Sequence, residues 1–342
     1  MEKNNLTAKK RCNILFIIGN GFDLGLGMKT RYSDMYSSYI SSPSPSDTVR
    51  KFKLAIARDK KYDNWSDFEM GMARHAHMFD SEAGFIECVR DFKKHMVAHL
   101  KEESNRMEDI IYNTFPQDKI QSVIFSAIHN FEDGLIPNDR RTVRAAKGDN
   151  PVSYSFLSFN YTYTLDTLLQ FSRIGSVPVH IHGTLNNDVI LGVDSIEQLN
   201  GCPYPTTRKM QRAFIKPKFN EAYDSERLET ARSMILNSDI ICSYGFSYGE
   251  SDETWLELIL QWLISDSRHH LVAYQFDDTA YDKFNSDILM DAEEEKKEML
   301  LKKLSAPLLT DDVNILNQVH IPVGYDIFNF DFSKSSKEIA MV

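Results

Sequence analysis

Residues 13–19, Asn-Ile-Leu-Phe-Ile-Ile-Gly, form an unbroken apolar run that stops abruptly at glycine. A run this short and rich in isoleucine predicts a strand buried on both faces, as in a parallel sheet. Residues 31–40 continue as a helix that ends before the Ser/Pro-rich stretch at 41–47. From about 48 to 134 the apolar positions recur at helical spacing with almost no strand signal, which predicts several helices. Residues 137–151, polar, basic and flanked by prolines, read as an exposed connection. Strand patterns then return at 153–160, 177–183, 188–194, 238–247, 269–276 and 325–332. Helical patterns separate them at 163–172, 222–237 and 251–266, and residues 291–304 read as an exposed helix of mixed charge. Strands alternating with helices predict an α/β fold, a mostly parallel sheet with helices on both faces. No internal repeat is visible.

At 342 residues the chain is long enough for one large domain or two ordinary ones. Its net charge of -10 argues against nucleic acid as a partner held by the overall field, although a local basic groove stays open. No apolar stretch approaches the roughly 20 residues that span a bilayer, so no membrane is expected. The apolar run behind the basic N-terminus leads into a glycine loop, and reads as a core strand rather than a signal peptide. Cys12, Cys88, Cys202 and Cys242 are scattered without zinc-ligand or redox spacing, which fits a reducing cytoplasm and no metal.

In open parallel sheets, ligands sit beyond the carboxyl ends of the strands. Four predicted strands end there in glycines and polar groups: Gly19-Asn20-Gly21-Phe22-Asp23, Asn160-Tyr161-Thr162, His180-Ile181-His182-Gly183 and Gly245-Phe246-Ser247. The first loop allows close backbone approach and places helix-terminal amides where phosphate binds, or else is simply a tight strand-to-helix turn. It is no full dinucleotide fingerprint, because Leu24 stands at the third glycine position and Gly25 comes one step late. Asp23 would repel a phosphate, so it contacts a ribose or caps the helix. His182 is the better cleft candidate of the two strand histidines; His180 reads as a core or surface residue. His75, His77, His95 and His99 lack a third ligand at metal-binding spacing and read as solvated faces. Asn160 is either a cleft residue or a helix cap, with Thr162 and Thr164 as alternative caps. Residues 245–249 also match G-x-S-x-G, the nucleophile elbow of α/β-hydrolases, with Asp277 or Asp278 and His320 as partners downstream.

These motifs, in this order, resemble the AbiH family of bacterial phage abortive-infection proteins. The resemblance rests on residues 15–36, 64–69, 156–166, 180–194 and 243–252. More distantly the layout is similar to the sirtuin-type NAD fold. It implies a Rossmann-like nucleotide-binding domain over residues 1–45 and 150–342, interrupted by a predominantly helical insertion over 46–149. It further implies cleavage of the nicotinamide–ribose bond, with NAD or NADP as substrate rather than cofactor. On that pattern His182 is the general base and Asn160 positions water or the nicotinamide ribose. Gly19, Gly21 and Asp23 line pyrophosphate and ribose, together with Asn20, Phe22, Thr30, Tyr161, Thr162, Gly183 and Gly245. Ser247 and Asp252 hold the adenosine half. Further partners implied are a phage-derived trigger or a partner defence protein, and a second copy of the chain. The sequence departs from the sirtuin pattern at Thr162, where an Asp stands in that pattern, at Asn20 and Asp23, and in lacking a four-cysteine zinc module. A non-catalytic nucleotide sensor is the alternative from another class.

Overall fold

The computed structural model describes residues 11–58, 65–172, 174–199, 202, 207–275, 285–304, 313–330 and 332. Among the described residues six strands form one sheet: β1 Cys12–Ile18, β2 Val152–Ser158, β3 Val179–His180, β4 Ile240–Tyr244, β5 His270–Tyr274 and β6 Val319–His320. Their order is β3-β2-β1-β4-β5-β6 and every pairing is parallel. The chain is therefore a Rossmann-like α/β protein. It winds outward from β1 to β3, returns, and winds the other way from β4 to β6, so the order reverses between β1 and β4. Register is fixed there by Ile14 opposite both Tyr154 and Ile240.

Helices follow as α1 Gly21–Gly25, α2 Tyr32–Ser41, α3 Asp47–Arg58, α4 Trp65–His75, α5 Glu82–Asp109, α6 Gln117–His129 and α7 Pro137–Lys147. After β2 come α8 Thr164–Leu169, α9 Arg208–Phe214, α10 Lys216–Tyr223, α11 Ser225–Leu236, α12 Glu253–Ser265, α13 Ser286–Lys303 and α14 Val313–Leu316. Alternate side chains of β1 enter opposite layers, as a pleated strand requires. Ile14, Phe16 and Ile18 pack with Ile124, Ile128 and Phe131, beside Val143 of α7. Leu15 and Ile17 pack on the other face with Ile235, Ile259 and Trp262 of α11 and α12. A third core, built on Tyr32, Phe52, Phe68, Phe85 and Phe92, joins α2 to α5 with Leu191, Val193 and Phe214. Among the described residues no helix is long and apolar enough to cross a membrane.

Three expectations need correction. Residues 137–147 are a helix, α7, not an irregular connection: Pro137 occupies its first turn, where a missing amide costs nothing, and Val143 faces the core. Residues 188–194 make only an isolated bridge, Val193 to Ile215, because their apolar side chains are buried by the helical core rather than by strand pairing. The described part of 325–332 is also unpaired, with Ile327, Phe328 and Phe330 inserted into the sheet-face core. The edge strand is Val319–His320 instead.

Candidate functional site

The four strand ends converge. A cavity of about 860 Å³ opens at the carboxyl edge of the sheet, where β1 meets β4. This is the topological switch point at which doubly wound sheets bind ligands. Its lining includes Gly19, Asn20, Gly21, Asp23, Thr30, Asn160, Tyr161, Thr162, His182, Gly245, Ser247 and Asp252. Phe22 and Gly183 do not line it. The Phe22 ring is core, edge-on to Tyr244 and Phe328. Gly183 turns the chain after His182 with φ +70°.

Two glycines explain how the β1 and β4 loops approach so closely. A Cβ on Gly19 would lie 2.6 Å from Gly245 O, and one on Gly245 would lie 2.5 Å from Phe22 N. Gly245 also has φ +64°, a conformation glycine adopts without cost. The Gly19 amide donates to Tyr244 O at 3.0 Å and the Gly21 amide to Gly245 O at 2.9 Å. Those two amides are thus spent on the neighbouring loop, so this is not an open phosphate cradle.

Asp23 is a strongly perturbed carboxyl of the cavity. It is 1% exposed, and burial pushes its pKa up to about 7 against the opposing effect of the Thr162 hydroxyl and the Asn160 amide. Thr162 Oγ1 donates to Asp23 Oδ2 at 2.7 Å, and the Asn160 amide faces the same carboxyl without the alignment of a hydrogen bond to Oδ1. Asn160, 5% exposed, has no aligned partner for either amide atom. Its backbone is anchored from behind: His180 Nδ1 lies 3.0 Å from Asn160 O, and His180 Nε2 lies 2.9 Å from Asp166 Oδ2. His180 therefore supports the loop that presents Asn160.

His182 faces Asp252, expected to hold the adenosine half, and behind it a charged pair that the sequence did not expose. Its Nε2 lies 3.0 Å from Asp252 Oδ1 but without the alignment of a hydrogen bond. Lys216, the first residue of α10, reaches the same Asp252 oxygen at 2.9 Å and Glu69 Oε2 at 2.8 Å, and donates to Ser251 O at 3.0 Å. Glu69, on α4, also accepts from the Gly192 amide at 3.0 Å. Burial alone would raise the Asp252 carboxyl, but Lys216 and His182 outweigh it and hold the pKa below the ordinary range. Burial dominates at Glu69 and raises it. Arg31, Arg74 and Lys303 bring positive charge to the cavity lining. Lys216 and Glu69 escaped the sequence reading; the signal available was a charge embedded between apolar neighbours in each case.

Ser247 is exposed on the lining, and Lys303 donates to its carbonyl at 2.9 Å. The positive φ of a nucleophile elbow falls on Tyr248, at 52°, not on the serine. His320 contacts Asp139 at 2.7 Å and His270 at 3.0 Å, away from the cavity lining; Asp277 and Asp278 lie outside the described residues. His182 is the histidine that shares the cavity with Ser247.

Fold and site together define a doubly wound α/β protein with a polar, acid-and-imidazole cleft at its switch point. Comparison with known families takes the assignment further. The chain belongs to the family described as bacteriophage abortive infection AbiH, whose profile matches residues 15–274. That span contains every side chain of the cleft named above except Lys303. A comparison with curated proteins gives no match.

Proposed function

We propose that this protein is the effector of an anti-phage abortive-infection response that binds NAD in the switch-point cavity and hydrolyses its N-glycosidic bond. The observation that carries the reading is a set of buried polar atoms around one cavity that no aligned hydrogen bond satisfies, both amide atoms of Asn160 and Asp23 Oδ1, with the His182 imidazole beside them against Asp252. Burying such atoms unpaired costs roughly 1–3 kcal/mol each, so they are held ready for a hydroxyl-rich polar ligand. Asn160 and Asp23 suit the hydroxyls of a ribose. The phosphates fall to Arg31, Arg74 and Lys303, since the Gly19 and Gly21 amides are already bonded.

In the reaction, the bond from the ribose anomeric carbon to the pyridine nitrogen breaks, and its electron pair neutralises the pyridinium. Water forms the new carbon–oxygen bond and loses its proton to His182. Asn160 orients that water or the ribose, and the carboxylates around the cavity stabilise the cationic sugar. The test is calorimetric titration of NAD into purified protein alongside measurement of free nicotinamide. Saturable binding with nicotinamide release supports hydrolysis, and binding without release, even with phage lysate, assigns the cavity to nucleotide sensing. Absence of binding refutes both.

A further inference from the structure

The contacts around Lys216 tie the cleft to the helical layer. Lys216 comes from α10, Asp252 from the turn Glu250–Asp252 before α12, His182 from the end of the β3 segment, and Glu69 from α4. Each of Lys216, Glu69, Asp252 and His182 is at least nine-tenths buried. The charges do not balance: one ammonium faces two carboxylates. A buried excess charge is costly, so the cluster requires one more proton. Asp252 does not take it, because Lys216 and His182 favour its ionised form against burial. Within the bonded cluster the two remaining places are the Glu69 carboxyl, whose proton burial favours, and the His182 imidazole; Asp194 is a further buried carboxyl beside the cluster whose proton burial also favours. Tyr161 is a further titratable group beside His182, with ring centroids 6.2 Å apart; burial, then Glu69 and Asp252, keep its phenol protonated. Asp194 faces Asp252 and Lys216 from the far side, with Oδ2 occupied by the Thr254 amide.

We infer that Glu69 is a positioning residue for His182: through Lys216 and Asp252 the two groups compete for one proton, so α4 sets the charge with which the imidazole meets its ligand. This rests on the reading of His182 as the base. It also gives the helical layer a direct hold on the chemistry. Glu69 sits on a helix whose neighbouring residues, Phe68 and Met72, belong to the separate core of α2 to α5. Displacing α4 withdraws Glu69 from Lys216 and returns the full ammonium charge to Asp252, which lowers the proton affinity of His182.

The test is a pH titration of the His182 ring signal by two-dimensional NMR, with the signal assigned by its loss in His182→Ala. In the wild type the signal titrates in two coupled steps. Glu69→Gln collapses this to a single step and moves the midpoint down by about one pH unit, a tenfold loss of proton affinity. Lys216→Met moves it up, and where that variant does not fold, Glu69→Gln, which keeps the shape of the side chain, decides alone. A single-step titration in the wild type that Glu69→Gln leaves unmoved overturns the inference. Because the titration needs no turnover, it separates this coupling from the hydrolytic reading: a moved midpoint without nicotinamide release upholds the first and removes the second.

Discussion

Asp23 provides a quantitative test of how the cleft is built, through the substitution Asp23→Asn. In the folded protein the carboxyl titrates near 7, and in the unfolded chain near its ordinary value of 3.8. Below the lower value both states carry the proton and nothing is gained or lost. As pH rises between the two values the unfolded chain ionises while the folded one does not, and stability falls. Above 7 both are ionised and the loss is complete. A gap of roughly three pH units, at ~1.4 kcal/mol each, puts the full loss at about 4 kcal/mol. Between pH 5 and pH 8 the loss is about 2–3 kcal/mol, a sizeable part of the ~5–15 kcal/mol stability of an ordinary domain. Asparagine keeps the shape and an acceptor for Thr162 Oγ1 but cannot ionise, so the variant escapes this loss. Guanidinium unfolding of both proteins at pH 5 and pH 8 measures it. The stability difference, variant minus wild type, should grow by about 2–3 kcal/mol at the higher pH. An equal difference at both values would show that Asp23 ionises normally, and the account of a desolvated carboxyl in the cleft would be wrong.

Other predictions address the frame and the ligand. Gly183→Ala forces a Cβ to 1.8 Å from Asp188 O at φ +70°, and should lower stability by about 2–3 kcal/mol in thermal unfolding; an unchanged melting temperature contradicts the close approach. Lys216→Met leaves Glu69 and Asp252 buried without their cation and should cost ~3–5 kcal/mol, part of which Glu69→Gln restores in the double variant. If the two changes simply add, the residues do not share a network. Arg74→Ala should weaken NAD binding and flatten its dependence on salt, read by calorimetry at two ionic strengths; identical salt slopes would remove Arg74 from phosphate recognition.

The sheet was legible because four of its strands are short apolar runs that end at a glycine or a polar residue, as in Ile18-Gly19 and Tyr244-Gly245. The same logic brings Asn160, His182 and Ser247 to one edge. It failed at 188–194 and around Phe328, where apolar residues are buried by packing and not by strand pairing; periodicity reports burial and cannot distinguish these. The α7 helix was missed because Pro137 reads as a breaker unless its place in the first turn is known. The pairing of Lys216 with Glu69 was missed for a different reason. The two lie 147 positions apart, and only the packing of α4 on the turn before α12, to which Lys216 of α10 also reaches, makes them partners. His180, an expected bystander, owes its role in bracing Asn160 to a ring orientation that spacing alone does not give.

The central claim is that Asn160 and His182 act on NAD in one cavity. Its most direct test is nicotinamide release in extract from phage-infected cells, comparing wild type with His182→Ala and Asn160→Ala at matched levels of folded protein. The account predicts release by the wild type and a loss of at least about a hundredfold in each variant, the usual effect of removing an acid–base or positioning group. Equal release by all three proteins would contradict it.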